Sequence, residues 1–278
     1  MAGRCPAIVP EQLDTIEDPR LQPIQRHRDL VHQATLLCSE WNTALGDMHG
    51  PSGLEKLADV ATNAIALDEK FELWANEVPP PFGYSLKPIT GVKEAPEWLR
   101  RILVCPGSPT LSHDYTSSPS EMLWRFYWAT RMIISQALVY TDGVLRSQGA
   151  ASNPIYNRRE AVESTLAHVV QRLCESCVTP LVQAWERSKP GGCKIEEIPS
   201  IRGYLMLQVL LTVGLCIDQT ASSCAHLDLE SRRPWLIAMK DLIQVGLGFS
   251  KAAAKIDPVR LRKLPVQLWS MGGTNAGL

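Results

Sequence analysis

Two cysteines of this 278-residue chain, Cys174 and Cys177, stand at the spacing C-x2-C. Residues three apart on a helix share a face, so both thiols could reach one metal ion. A zinc site needs a second pair of ligands, and the remaining cysteines and histidines are scattered along the sequence. A thioredoxin-type redox pair would need a βαβ context, which is absent here. We therefore expect two reduced thiols buried on one helix.

Other catalytic motifs do not occur in the sequence. It contains no G-x-S-x-G, no phosphate loop and no H-E-x-x-H, and its six histidines are never paired at i, i+4. All-α terpene cyclases hold Mg²⁺ with carboxylate clusters, and the nearest such group here is Asp68, Glu69 and Glu72. We interpret these three residues as ordinary helix-surface acids, although Asp68 is the odd residue on the apolar inner face of its predicted helix. The sequence thus predicts no catalytic residue, no metal and no cofactor.

The aromatic stretch at residues 124–131 is the best candidate in the sequence for a small-molecule site. Aromatic walls with a few convergent polar groups are how ligand sites are built. Our candidate effector pocket is therefore Trp124, Tyr127, Trp128 and Arg131. The competing interpretation, which we favour, is core packing in which Arg125 and Arg131 each bind a carboxylate or a carbonyl.

The same stretch is predicted to be the central helix of the fold. Ser118, Pro119 and Glu121 form a start signature, with the serine as N-cap, the proline at the first helical position and the glutamate closing a capping box. Apolar and aromatic residues then continue to Arg146. A helix of this composition must be buried on most of its circumference.

Apolar residues at three- and four-residue spacing predict further helices on both sides. Their predicted ranges are about 24–45, 52–76, 157–177, 205–217 and 231–257, with Asn157 and Ser231 as caps and a short continuation that starts at Pro180. We find six or seven helices and no convincing strand pair. The sequence therefore predicts an all-α fold in a single domain.

Proline and glycine mark the boundaries of that domain. Residues 1–22 are proline-rich and expected to be disordered, residues 23–257 form the helical domain, and residues 258–278 are a glycine-rich tail. Within the domain, residues 77–117 carry too many prolines for a long helix. In this irregular segment we expect only a short helical turn at Trp98 and Leu99 that docks on the core.

The charge and hydropathy of the chain argue against a general affinity for nucleic acids or membranes. Its formal net charge is −1, which gives no overall attraction to nucleic acids or anionic membranes. The longest apolar run, Leu205–Ile217, is too short to cross a bilayer and reads as a core helix. No apolar leader follows Met1. We expect neither a membrane protein nor a secreted one.

Four blocks of sequence, taken in their order along the chain, together resemble a known protein family. They are Leu67–Trp74 followed by Val78-Pro79 and Tyr84; the aromatic block Leu123–Ile133; Ile198–Ser200 with Gly203-Tyr204; and Trp235–Gly246 with Ala252. In order and spacing they resemble the C-terminal helical regulatory domain of fungal zinc-cluster (Zn2Cys6) transcription factors. The resemblance covers roughly residues 25–257.

That resemblance implies an all-α regulatory protein of the nucleus that controls a secondary-metabolite or nutrient pathway through protein partners. The family's DNA-binding module uses six cysteines that begin C-x2-C-x6-C. Here only Cys5 precedes Cys38, so the module is missing and direct DNA binding is in doubt. A full-length zinc-cluster relative is then the expected partner.

Two other functions stay open at this stage. The first is a small all-α enzyme or ligand-binding protein of a biosynthetic cluster, with a pocket near Trp124 and Arg131 roofed by residues 77–117. The second is a plain interaction scaffold, which a stable co-purifying partner would reveal.

Overall fold

The computed structural model describes residues 21–47, 51–150, 152–188, 194–195, 198–220 and 223–246. Within these ranges the chain is an all-α fold with a small antiparallel ribbon. The helices are α1 (Gln22–Gly46), α2 (Pro51–Glu77), α3 (Glu97–Leu103), α4 (Ser118–Ser147), α5 (Arg159–Arg187), α6 (Ser200–Thr220) and α7 (Arg233–Gly246), and the strands are β1 (Tyr84–Pro88) and β2 (Leu111–Tyr115).

Helix α4 is the centre of the fold, as the sequence predicts. Every residue from Thr130 to Val139 is buried. Helices α1, α2, α5 and α6 pack around it, because an apolar helix can be covered on all sides only by several neighbours. The fold therefore places the candidate pocket residues in the interior of the bundle.

The start of α4 differs from the prediction by one residue. Ser117 is the N-cap, and its side chain accepts from the backbone amide of Ser120 at 3.3 Å. The Glu121 carboxylate closes no capping box because it pairs with Arg125 at 2.8 Å. Adjacent serines offer the same capping chemistry, so the sequence pattern could not tell them apart.

Helix α5 corrects two further predictions. It runs unbroken through Pro180, where the sequence predicts a new start. Asn157 is not its cap either, since it lies in a short 3-10 turn, Tyr156–Arg158, and the residue at the cap, Arg158, makes no side-chain capping bond. A proline inside a helix removes one backbone hydrogen bond, and tertiary contacts at Ser176 compensate for it, as described below.

The strand pair was not predicted. Strand β1 pairs antiparallel with β2, with Tyr84 opposite Tyr115 and Pro88 opposite Leu111. The two strands are separated in sequence by the segment that contains α3, so no local sequence pattern predicts that they pair. The predicted docking of α3 is confirmed, because Leu99 is fully buried in the core.

Helix α6 packs against α4, α5 and α7. Within the described residues it is the one helix whose length and apolar composition would suffice to cross a membrane. The core helices of other folds also meet this criterion. In this structure 44% of its apolar stretch, Arg202–Thr220, is buried. The predicted N-terminal segment, the boundary at residue 257 and the tail lie outside the described residues, apart from the first residues of α1.

Candidate functional site

The structure brings the four candidate pocket residues together in an aromatic cluster. Trp124, Tyr127, Trp128 and Arg131 are all at least 93% buried. Trp74 of α2 joins them, with its ring centroid 5.5 Å from that of Trp124 and 5.4 Å from that of Tyr127. Tilted and edge-on contacts of this kind are favourable for aromatic rings. The residues therefore pack mainly against one another.

The polar atoms of this cluster bind protein groups. The guanidinium of Arg131 donates to both carboxylate oxygens of Asp68 at 2.7 Å and to the hydroxyl of Tyr127 at 2.8 Å. Burial alone would lower the pKa of Arg131, but the hydrogen bonds and charge of Asp68, together with Tyr127, outweigh it and raise the pKa. The indole of Trp124 donates to the carbonyl of Phe82 at 2.8 Å. Arg131 thus stays charged and fixed to α2.

Asp68 corrects the prediction of a purely acidic surface at residues 68–72. Its carboxylate is 18% exposed and faces Arg131, whereas the carboxylates of Glu69 and Glu72 are 59% and 65% exposed. The sequence marked Asp68 as the odd residue on an apolar face. Its partner explains that position, because a carboxylate on a buried face needs a paired cation.

Arg125 binds a carbonyl, as the core-packing interpretation predicts. It donates to the carbonyl oxygen of Ser176 at 2.7 Å and to the Ser176 hydroxyl at 3.1 Å. Its guanidinium also lies 2.8 Å from the carboxylate of Glu121. Pro180 has no N–H to give the Ser176 carbonyl, so Arg125 supplies the missing donor. Effector binding at the aromatic cluster stays a prediction.

A second buried polar cluster was missed by the sequence analysis. His113 of β2 lies between Tyr115 and Glu175 of α5, with Nδ1 at 2.7 Å from the tyrosine hydroxyl and Nε2 at 3.2 Å from the carboxylate. The side chain of His113 has no exposed surface, and that of Glu175 is 1% exposed. Three groups from two elements therefore form one continuous hydrogen-bonded chain inside the protein.

Electrostatics fix the charge states in this chain of groups. Burial lowers the pKa of His113, although hydrogen bonding to Glu175 opposes that effect. Burial would raise the pKa of Glu175, but hydrogen bonds from His113, Gln171 and Arg172 outweigh it and lower the pKa. The imidazole is thus neutral at pH 7: Nε2–H donates to the carboxylate, and Nδ1 accepts from the tyrosine.

The cluster extends along α5 to the start of α7. Gln171 donates to Glu175 at 2.6 Å and accepts a hydrogen bond from Arg232. The same arginine donates to the carbonyl of Gly107 at 2.8 Å. This network therefore ties β2, α5, the loop after α3 and the residues before α7 into one unit.

The order carboxylate, imidazole, hydroxyl is that of a general-base relay. Here the hydroxyl is a phenol that keeps its proton rather than an activated nucleophile. His113 is enclosed, and burial raises the pKa of Tyr115, so its phenol keeps its proton. Such an arrangement positions β2 on α5. No local signal in the sequence could have found it, because Glu175 is 62 residues from His113.

The C-x2-C pair also lies in the core. Cys174 and Cys177 are fully buried, and burial raises the pKa of Cys177 to about 12. A protonated thiol is a weak nucleophile and a poor metal ligand. Within the described residues, no three histidine, cysteine, aspartate or glutamate side chains are grouped to hold a metal ion.

Comparison with known proteins identified no relative. No protein-family model matches the chain, and no curated protein and no solved structure matches it either.

Proposed function

We propose that this chain is a transcription regulator of the fungal zinc-cluster type, whose 278 residues contain no C-x2-C-x6-C zinc-cluster motif. It acts in the nucleus through protein partners, of which a full-length zinc-cluster relative is the first candidate. It controls a secondary-metabolite or nutrient pathway. The effector, if one binds, would contact the cluster of Trp124, Tyr127, Trp128 and Arg131.

One observation supports this proposal most. The first two blocks that resemble the regulatory domain, Leu67–Trp74 and Leu123–Ile133, meet in the interior of the bundle. Asp68 binds Arg131, and Trp74 packs on Trp124. Residues that recur together in a family are expected to be in contact when they maintain its fold. The contacts therefore give the resemblance a physical basis, namely a shared core.

The arrangement of polar groups favours a regulator over the alternative enzyme. An enzyme needs an activated nucleophile or base within reach of substrate. The imidazole of His113 and the carboxylate of Glu175 are enclosed. The arginines among the aromatic residues bind carboxylates and a carbonyl of the protein. These groups serve packing, which is what a binding domain requires.

A tethering experiment tests the proposal. The full chain is fused to an unrelated DNA-binding domain and expressed in a fungal cell that carries a reporter gene with the matching operator. We expect reporter transcription to change severalfold relative to the DNA-binding domain alone. A reporter unchanged at equal nuclear protein levels would contradict the proposal.

The claim about DNA needs a separate assay. In a gel shift with a pool of random duplexes, the untethered chain should select no sequence. Its net charge of −1 offers no broad attraction to phosphates. Tight and sequence-specific binding by the chain alone would overturn the claim that it relies on partners to reach DNA.

A further inference from the structure

Helices α1 and α2 leave a groove open to solvent along one side of their hairpin. This hairpin groove has a volume of about 300 Å³, and residues of both helices line it. Leu37 and Leu67 form a buried floor, whereas Leu36 at the edge of that floor is 53% exposed. A concave apolar surface with a polar rim is typical of a site that binds another molecule.

Two contacts between the helices fix their register. Lys70 of α2 donates to Gln33 of α1 at 3.4 Å, and Lys56 of α2 donates to Asp47 beyond the end of α1 at 3.1 Å. From the first contact to the second, α1 advances from residue 33 to 47 while α2 goes back from residue 70 to 56, an equal number of residues. The two helices are therefore antiparallel in a constant register.

The hairpin groove has one polar pair at each end. Gln33 and Lys70 form the first end. Glu40 and Asn63 are the midpoints of the two stretches between the contacts, so they lie opposite each other and form the second end. At a rise of about 1.5 Å per residue, the two ends are about 10 Å apart. Leu36 lies between them, so an apolar centre separates the two polar pairs.

Opposite charges occupy diagonal corners of the hairpin groove. The anion is Glu40 of α1, and the cation is Lys70 of α2 at the other end. Both side chains are exposed, and neither forms an ion pair within the described residues. The other diagonal carries Gln33 and Asn63, whose amides can each donate and accept hydrogen bonds.

This pattern is complementary to itself under a two-fold rotation. A two-fold axis that lies in the contact surface, midway between Glu40 and Lys70, places each of these side chains against the other one in a second copy. The same axis places Gln33 against Gln33 and Asn63 against Asn63. Two identical amides can satisfy each other, because each has a donor and an acceptor. An interface between identical chains with two-fold symmetry requires this kind of self-complementary surface.

We propose that the hairpin groove binds a second copy of this chain, in a two-fold dimer whose hairpins cross. The crossing follows because the axis runs diagonally to the helices. A pair of helices is about 20 Å wide, so two crossed pairs cover about 400 Å² per copy. Contacts of that size are at the low end for proteins, so we expect a reversible dimer with a dissociation constant in the micromolar range. This inference does not rest on the proposed role in transcription.

Sedimentation equilibrium of the full chain over a range of concentrations tests the proposal. We expect the average mass to rise with concentration from 30.8 kDa toward twice that mass. Leu36→Glu should weaken the association at least about tenfold, because it buries a charge at the apolar centre of the contact. Ile237→Glu is the matched control, since Ile237 is 52% exposed on α7, and it should leave the association unchanged. A monomer up to about millimolar concentration, or equal effects of the two variants, would overturn the proposal.

Reversing the two charges in separate variants is the sharper experiment. Glu40→Lys places lysine against lysine at both ends of the contact, and Lys70→Glu places glutamate against glutamate. Each variant alone should therefore dimerise at least about tenfold more weakly than the unmodified chain. Mixed in equal amounts, the two variants should form a dimer about as stable as the unmodified one, because every lysine then meets a glutamate. A mixture that associates no better than either variant alone would contradict the two-fold arrangement.

Discussion

Arg125 of α4 donates to the carbonyl oxygen of Ser176 in α5 at 2.7 Å, in the place of the backbone amide that Pro180 lacks. A proline four residues after a carbonyl leaves it without its helical donor. The guanidinium restores that bond from a neighbouring helix and anchors α4 to α5. A sequence feature that normally ends a helix therefore becomes the point where the two longest helices of the described bundle are joined.

Arg125→Met should destabilise the protein by about 3 kcal/mol, because it leaves the buried Ser176 carbonyl without this donor and the buried Glu121 carboxylate with only the longer contact to Arg202 at 3.7 Å. Pro180→Ala should recover about 1 kcal/mol in that background, since the new amide can bond to Ser176. Urea unfolding followed by circular dichroism measures both values. An equal effect of Pro180→Ala with and without Arg125 would refute the proposed exchange of donors.

Asp68→Asn should cost about 3 kcal/mol of the free energy of unfolding, because Arg131 would keep its buried charge without its carboxylate. Glu69→Gln is the matched control one residue away. Its ion pair with Arg158 is more than half exposed on both sides, and such pairs contribute less than about 1 kcal/mol. Equal losses of unfolding free energy for the two variants in chemical denaturation would show that the Asp68–Arg131 pair contributes no more than an exposed ion pair.

Acidification should weaken the fold through His27. Burial lowers the pKa of His27 to about 4, from an ordinary value of 6.5. The unfolded chain therefore binds a proton between these pH values that the folded chain does not, and stability falls as the pH falls through this window. Between pH 7 and pH 5 this amounts to about 2 kcal/mol.

The variant His27→Leu isolates that contribution. Leucine has a similar volume and carries no ring nitrogen, whereas Nε2 of His27 has no hydrogen-bond partner. We expect the stability difference between pH 7 and pH 5 to shrink by about 2 kcal/mol in urea titrations at the two pH values. A difference identical to that of the unmodified chain would rule out His27 as its source.

Gly107→Ala should be far more damaging than Gly149→Ala. Both glycines have positive φ, +81° and +61°, so alanine costs about 1 kcal/mol at either position. A Cβ at Gly107 would also lie 2.2 Å from the backbone oxygen of Ser231, whereas Gly149 has nothing within 4 Å. We expect a melting temperature at least several degrees lower for Gly107→Ala than for Gly149→Ala. Matching melting curves would argue against this close approach.

The helices were predictable where their evidence is local. The four-, three- and four-residue spacing of Leu30, Ala34, Leu37 and Trp41 places them on one face of α1, and all four are buried. Capping was less predictable, because Ser117 and Ser118 are chemically equivalent. The continuity of α5 through Pro180 depends on Arg125, which lies 51 residues before the Ser176 that it contacts.

The polar contacts of the core were predictable only in part. The position of Asp68 on an apolar face indicates that its carboxylate needs a cation as partner. The sequence does not identify that cation as Arg131, which is 63 residues away. His113 and Glu175 gave no such indication, because their contact depends on the ribbon of β1 and β2. Which faces of distant elements meet is set by packing, which single-sequence periodicity does not encode.

The tethered-reporter measurement with three chains in parallel tests the central claim most directly. The unmodified chain and Glu69→Gln should change reporter transcription severalfold, and Asp68→Asn should lose that change because it disrupts the core shared by the two resembling blocks. Reporter levels equal to those of the tether alone for all three chains would contradict the account. So would full activity of Asp68→Asn.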